Sequence, residues 1–254
     1  MPASVYDLLL DARRTHGAGF VVLLDPDKVP EAALGTFAAQ VHRAGVDALF
    51  VGGSLLHTAS LGGYLRALRS VTALPLIGFP GSLGQLSGEL DAVLFLSVVS
   101  GRNPEYLIGQ HVHAAPIVRR LGIEPIATGY MLVESGRATT AQYMSHSMPL
   151  PRHKPDVAAA TALAAEMLGM RLLYADGGSG ADAAVPEEMV AAIAEVCTVP
   201  LTVGGGLRTP EAVARAVRAG AGLVVVGTAF EQRPDGAFLA DLVAAAHGTP
   251  APSR

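Results

Sequence analysis

Two glycine clusters near the end of the chain directly follow short apolar runs. Gly204-Gly205-Gly206 comes after Leu201, Thr202 and Val203, and Gly227-Thr228 comes after Leu223, Val224, Val225 and Val226. Glycine lets backbone N–H groups approach an anion closely, and a helix starting just beyond adds the positive end of its dipole. A plain chain reversal is the competing use of one such turn. Two of them, one strand–helix unit apart, favour a phosphate site of the kind that barrels build after strands seven and eight. A third cluster, Tyr174-Ala175-Asp176-Gly177-Gly178-Ser179-Gly180, sets an aromatic ring and a carboxylate before glycines that surround a serine. The glycines and Ser179 offer N–H and O–H donors to a phosphate while Asp176 points at whatever is bound beside it. The alternative is a flexible loop in which Asp176 caps a helix after Pro186. Asp25 and Ser54, each at the end of an apolar run, form a small oxygen-donor set suited to Mg²⁺, with helix capping again the alternative. The eight histidines show no metal-ligand spacing, and His111 and His113 read as surface or interface residues.

Elements that would hold these groups in place are visible as a repeat. Arg43 to Gly53 and Arg218 to Thr228 share one pattern: a helix end stopped by Gly, a buried strand, then a Gly turn. Apolar runs at 20–24, 47–51, 75–79, 92–96, 124–128, 171–175, 201–203 and 223–226 alternate with helical patterns, which predicts a parallel sheet. Eight such strands favour a single closed (β/α)₈ TIM-like barrel over 1–245, followed by a short tail over 246–254. Between strands three and four the segment PGSLGQLSGELD is too short and Gly-rich for a full crossover helix, which is therefore shortened or replaced. A long insertion over 129–155 carries Tyr130, Glu134, Arg152, His153 and Lys154, and its place after strand five suggests a lid.

The chain of 254 residues is 50% hydrophobic and only 16% charged, enough to bury a large core. A net charge of −4 argues against nucleic acid as a partner. Cys197, the one cysteine, cannot form an internal disulfide and reads as core, which fits a reducing cytoplasm. No apolar run reaches the length of a membrane span, and the N-terminal stretch reads as a short amphipathic helix rather than a signal peptide.

The chain resembles the geranylgeranylglyceryl phosphate synthase family, which includes bacterial heptaprenylglyceryl phosphate synthases. The resemblance rests on Asp25-Pro26-Asp27, Val51-Gly52-Gly53-Ser54, Phe79-Pro80-Gly81, Gly129-Tyr130 with Val133-Glu134, and Pro151-Arg152-His153-Lys154. It continues through Tyr174 to Ala181, Val203 to Leu207 with Arg208-Thr209-Pro210, and Gly227-Thr228. It implies a barrel with one helix replaced and transfer of a prenyl group, geranylgeranyl or similar, from its diphosphate to the C3 hydroxyl of sn-glycerol 1-phosphate. By the same resemblance Asp25 and Ser54 hold Mg²⁺. Tyr174, Ala175, Asp176, Gly177, Gly178, Ser179, Gly180, Gly205, Gly206, Gly227 and Thr228 bind glycerol phosphate, and Asp176 and Tyr174 are the catalytic candidates. The family usually has Glu-Ala where this chain has Asp176-Gly177, which keeps the charge and shortens its reach. A homo-oligomer that meets lipid at a membrane surface is expected, with Phe95, Tyr106 and Leu107 supplying apolar contact area. Two other readings are a phosphosugar isomerase or lyase on the same barrel, and a non-catalytic phosphate- or lipid-binding relative. Strand five, ending in Thr128-Gly129, lacks the acid or base such isomerases place there.

Overall fold

In the computed structural model, which describes residues 4–57 and 60–248, eight parallel strands close into a barrel in chain order. They are β1 (Gly19–Leu24), β2 (Ala48–Val51), β3 (Leu76–Gly78), β4 (Ala92–Val98), β5 (Glu124–Leu132), β6 (Leu172–Asp176), β7 (Leu201–Gly204) and β8 (Leu223–Val226). Closure is made by β1 against β8, with Gly19 opposite Leu223 and Val22 opposite Val226. Around them lie α1 (Val5–His16), α2 (Leu34–Ala44), α3 (Leu61–Arg69), α4 (Gln110–Leu121), α5 (Thr140–Ser145) and α6 (Pro155–Met167). The ring is completed by α7 (Glu187–Val196), α8 (Pro210–Arg218), α9 (Thr228–Gln232) and α10 (Gly236–His247). Of the tail expected over 246–254, residues 249–254 lie outside the described residues.

Strand alternation divides the core into two layers. Val21, Phe50, Ile77, Leu94, Ile126, Leu172, Tyr174 and Val225 fill the barrel interior, while Val22, Leu49, Val93, Leu173, Ala175, Val203 and Val224 pack outward on the helices. Each fully buried large side chain is worth about 1.5–3 kcal/mol, so the interior alone is a large part of what holds the barrel shut. The lower end is closed by α1, whose Tyr6 and Leu9 join the interior layer. Its first turn is fixed by Glu124, which accepts from the Val5 and Tyr6 amides at 2.6 and 3.2 Å, and the Tyr6 hydroxyl donates to the Arg171 carbonyl at 2.7 Å.

Between β3 and β4 the crossover helix is replaced by one 3₁₀ turn, Leu83–Gln85, as its Gly-rich sequence predicts. The buried Gln85 amide gives that turn its anchor. Its Oε1 accepts from the Gly53 and Gly81 amides, and its Nε2 donates to the Gly53 carbonyl at 2.8 Å. Strand five runs four residues past its expected end at 128, because Gly129 is not a turn there. A Cβ at Gly129 would lie 2.9 Å from the Ala165 Cβ, so the glycine lets α6 pack closely on a continuing strand.

Candidate active site

A cavity of about 320 Å³ opens at the C-terminal ends of the strands. Asp25, Ser54, Tyr174, Asp176, Gly178, Ser179, Gly180, Gly205, Gly206, Gly227 and Thr228 all line it. Chain segments separated by two hundred residues are therefore brought to one mouth. Two of the residues expected at the site are not in its lining. Ala175 alternates to the outer layer, against the helices. The Gly177 amide completes the ladder to the Gly204 carbonyl at 3.1 Å, and its Cβ position faces Ala181 and the Ala183 carbonyl.

Asp176 is buried at the end of β6. Its Oδ2 accepts from the Tyr130 hydroxyl and its Oδ1 from the Gly178 amide, both at 2.7 Å. Burial pushes its carboxyl above the usual carboxylate range, and the Tyr130 and Gly178 bonds pull back against that shift. Tyr130 and Tyr174 are in turn raised well above the ordinary phenol value, first by burial and then by the Asp176 charge. Both phenols therefore stay protonated and can only donate to, or orient, the carboxylate. Phe79 stacks on Tyr174 at 5.3 Å and Tyr130 meets Tyr174 edge-on at 5.5 Å, so the carboxylate sits against an aromatic wall. The capping alternative for Asp176 does not occur: α7 is preceded by Pro186 and has no side-chain cap.

The glycines beside Asp176 are required by shape. Gly205 and Gly206 have φ of 75° and 74°, a conformation that side chains rarely adopt. A Cβ on Gly205 would lie 2.7 Å from Asp176 Oδ1, and one on Gly206 would lie 2.6 Å from the Ala183–Ala184 peptide. Three arginines hold the carbonyls of the loop after β6. Arg137 Nε donates to Gly180 at 3.0 Å, Arg208 Nη2 to Ala181 at 2.6 Å and Arg152 Nη1 to Ala184 at 2.8 Å. The short helix α9 starts at Thr228, so its first N–H groups and the positive end of its dipole face the same mouth.

Residues 11–246 match the PcrB family. The chain belongs to that family. Among relatives, it is 46% identical over 228 residues to the geranylgeranylglyceryl phosphate synthase of Spirosoma linguale, covering 90% of this chain and 92% of that one. It is also 46% identical over 212 residues to the Thermococcus gammatolerans enzyme of the same name, covering 83% of each. The crystal structure of (S)-3-O-geranylgeranylglyceryl phosphate synthase from Thermoplasma acidophilum with its substrate sn-glycerol-1-phosphate superposes with a TM-score of 0.91 at 30% identity. That match covers 97% of this chain and 100% of the other.

Beside Gly227-Thr228, where β1 pairs with β8, this PcrB-family chain gathers a second polar group. Asp25 Oδ1 accepts from the Asp27 amide at 3.0 Å, and Lys28 Nζ lies 3.3 Å from Asp25 Oδ2 and 2.9 Å from Glu231 Oε2. Neither Asp25 nor Ser54 caps a helix: the 3₁₀ turn after β1 has no side-chain cap, and α3 is capped by Ser60. Burial raises the Glu231 carboxyl, with Lys28 opposing it. Burial likewise works against the Lys28 ammonium, but Glu231 and Asp25 outweigh it and leave Lys28 above its ordinary value. Lys28 and Glu231 escaped the sequence reading because nothing in the spacing of residues 28 and 231 announces their contact.

Beyond the polar groups the cavity turns apolar. Val93 and Phe95 point outward from the barrel wall and still line it, together with Leu83, Leu86, Tyr106 and Ala114. This groove lies where a crossover helix would otherwise pack. Phe95 and Tyr106 line the cavity, Leu107 is half-buried outside it, and the large exposed apolar residues nearby are Ile108 at 61% and Val112 at 65%. His111 is buried, correcting its reading as a surface residue. Its ring meets Phe95 edge-on at 4.6 Å, and its Nδ1 has no partner. The insertion after strand five contributes α5, whose Thr140, Ala141, Met144 and Ser145 cover the mouth.

Proposed function

We propose that the chain transfers a long prenyl group from its diphosphate to the C3 hydroxyl of sn-glycerol 1-phosphate, and that it does so with Mg²⁺. The observation that carries this reading is the continuity of one cavity. A glycine-built anion cradle, a buried carboxylate and an apolar groove share it, in the arrangement that a phosphorylated alcohol and a prenyl chain need for reaction with each other. The names of the relatives at 46% identity support the same chemistry.

Glycerol phosphate is held by the backbone at Gly205, Gly206, Gly227 and Thr228 with Ser179, which fixes the acceptor hydroxyl near Asp176. In the transfer, the bond between prenyl C1 and the diphosphate oxygen breaks and its electron pair leaves with the diphosphate. The C3 oxygen bonds to C1, and its proton passes to the Asp176 carboxylate. Tyr130 holds that carboxylate in place by its hydrogen bond. Lys28 supplies positive charge at the diphosphate end. Asp25 and Ser54 are assigned to Mg²⁺ because a carboxylate residue and a hydroxyl residue both line the cavity; Lys28, which pairs with Asp25 Oδ2 here, would turn toward the diphosphate. When bound there, the ion stabilises charge on the leaving diphosphate. The prenyl tail lies in the groove along Phe95, Tyr106 and Ala114. With Ile108 and Val112 exposed on the same segment, we further propose self-association. Among the described residues, no helix is long and apolar enough to cross a membrane.

The test is direct. Purified protein is incubated with radiolabelled glycerol 1-phosphate, Mg²⁺ and prenyl diphosphates of graded length, and the label is extracted into organic solvent. Label in the organic phase that disappears with EDTA supports the reading. Label that stays in water for every diphosphate overturns it.

A further inference from the structure

The lower face of the barrel, away from the cavity, carries a second cluster of metal-ligating side chains. His16 is the last residue of α1, His247 the last residue of α10, and Asp47 leads into β2. One ligand atom from each lies within 4.8 Å of the others. His247 Nε2 is 3.0 Å from Asp47 Oδ2 and His16 Nε2 is 4.0 Å from Asp47 Oδ1. The imidazoles stack at 4.1 Å with 13° between their planes, with both Nε2 atoms near the same carboxylate. Near-parallel rings do not aim two lone pairs at one ion, so binding swings the half-exposed His16 ring out of the stack. That carboxylate is itself fixed, since Asp47 Oδ2 accepts from the Phe20 amide at 2.7 Å. A ligand held by an outer hydrogen bond in this way is the usual support of a metal site.

From these contacts we propose that His16, Asp47 and His247 bind a zinc-class transition metal ion that clips the two ends of the chain to the barrel floor. Two imidazoles and one carboxylate suit Zn²⁺, Co²⁺ or Ni²⁺ and are a poor set for Mg²⁺, which takes oxygen ligands. Tetrahedral zinc would set its ligand atoms roughly 3.3 Å apart, so from separations of up to 4.8 Å they close by as much as about 1.5 Å. Access for a water as fourth ligand comes from the solvent side, where the His16 side chain is 39% exposed. Two helix C-termini converge on the cluster, and their dipoles favour positive charge there. At this face of a barrel a bound ion serves stability rather than turnover. The clip would join residues 16 and 247, a span that encloses nearly the whole barrel.

Cobalt and zinc are the probes. In an Asp25→Asn background, which weakens the proposed Mg²⁺ position, the full chain should take up one Co²⁺ with visible ligand-field bands. Zn²⁺ at a hundredfold excess over its Kd should raise Tm by about 5 °C or more, and Mg²⁺ should not. His16→Gln, at a half-exposed position that tolerates change, should abolish both responses while its Tm in EDTA matches the parent. His247→Gln should abolish both responses too, with a lower Tm in EDTA because it loses the stacked ring beside Asp47. No Co²⁺ bands, or bands that survive both glutamine variants, would overturn the proposal.

Discussion

The two sides of the cavity are built by different means. On the β6–β8 side, shape comes from the backbone: consecutive left-handed glycines, a short helix start and three arginines that tie down loop carbonyls. On the β3–β4 side it comes from side chains and from an omission, since a single 3₁₀ turn stands where a helix would pack and leaves Val93 and Phe95 lining the cavity. A small, charged, invariant headgroup is best met by fixed amides, which cost little to reorganise. A long apolar tail needs only area and length. On the proposed reading, recognition of the headgroup is rigid by construction, whereas recognition of the tail can change one side chain at a time.

Several substitutions would break or sharpen this division. Asp176→Asn should have the largest effect, lowering turnover by roughly 10²–10⁴-fold, as expected of a positioned base, with KM for glycerol phosphate little changed. Its stability should move the other way. The buried carboxyl has a raised pKa, so its contribution to stability is present in acid and is lost as pH rises through the folded-state pKa. The amide avoids that loss, and Tm at neutral pH should be equal or higher; a Tm well below the parent would show that the charge holds the fold. Asp25→Asn should cost about 10²–10³-fold in Mg²⁺-dependent turnover and Ser54→Ala less. Equal activity of Asp25→Asn and parent across a Mg²⁺ titration would remove Asp25 from the metal's ligands.

Gly206→Ala tests the backbone side. It forces a side chain into φ near +74° and onto the Ala183–Ala184 peptide, at a cost of roughly 1–3 kcal/mol for the backbone alone. Denaturant unfolding should show the loss and steady-state kinetics a raised KM for glycerol phosphate. Ala114→Phe tests the other side. Filling the groove should reduce kcat/KM for the longest tails by roughly tenfold, leave short ones nearly untouched, and not alter KM for glycerol phosphate. A shift in that KM would mean the two sides are coupled. Smallest should be Tyr130→Phe. Without the phenol that pulls the Asp176 carboxyl down, the acid limb of the kcat/KM profile should move to higher pH, with little change on the alkaline side.

The backbone side was the legible one. Gly205, Gly206, Gly227 and Thr228 follow apolar strands in the sequence, and strand eight occupies the expected residues 223–226. Gly205 and Gly206 announce themselves most clearly, because their positive φ and crowded Cβ positions suit glycine. Tyr130 is assigned by sequence to an insertion and not to strand five, because Gly129, in close contact with α6, looks in sequence like a strand end. His111 and His113 stand two residues apart on α4, and spacing alone does not tell that His111 meets Phe95 while His113 is exposed. Ala175 shows the converse limit: it lies inside the conspicuous cluster at 174–180, yet strand alternation turns it away from the cavity. Lys28 with Glu231, and His16 with His247, meet only because the barrel closes, and closure is a property of the whole chain.

The floor made by α1 also has a kinetic meaning. With Tyr6 and Leu9 wedged beneath the interior layer, the barrel floor is shut, and the cavity opens at the other end. In the proposed reaction, acceptor, donor, diphosphate and finished lipid share that one cavity, so their traffic is a queue. A bound product then blocks both substrates at once, and the rate at which the lipid is drawn away sets how soon the next pair can enter.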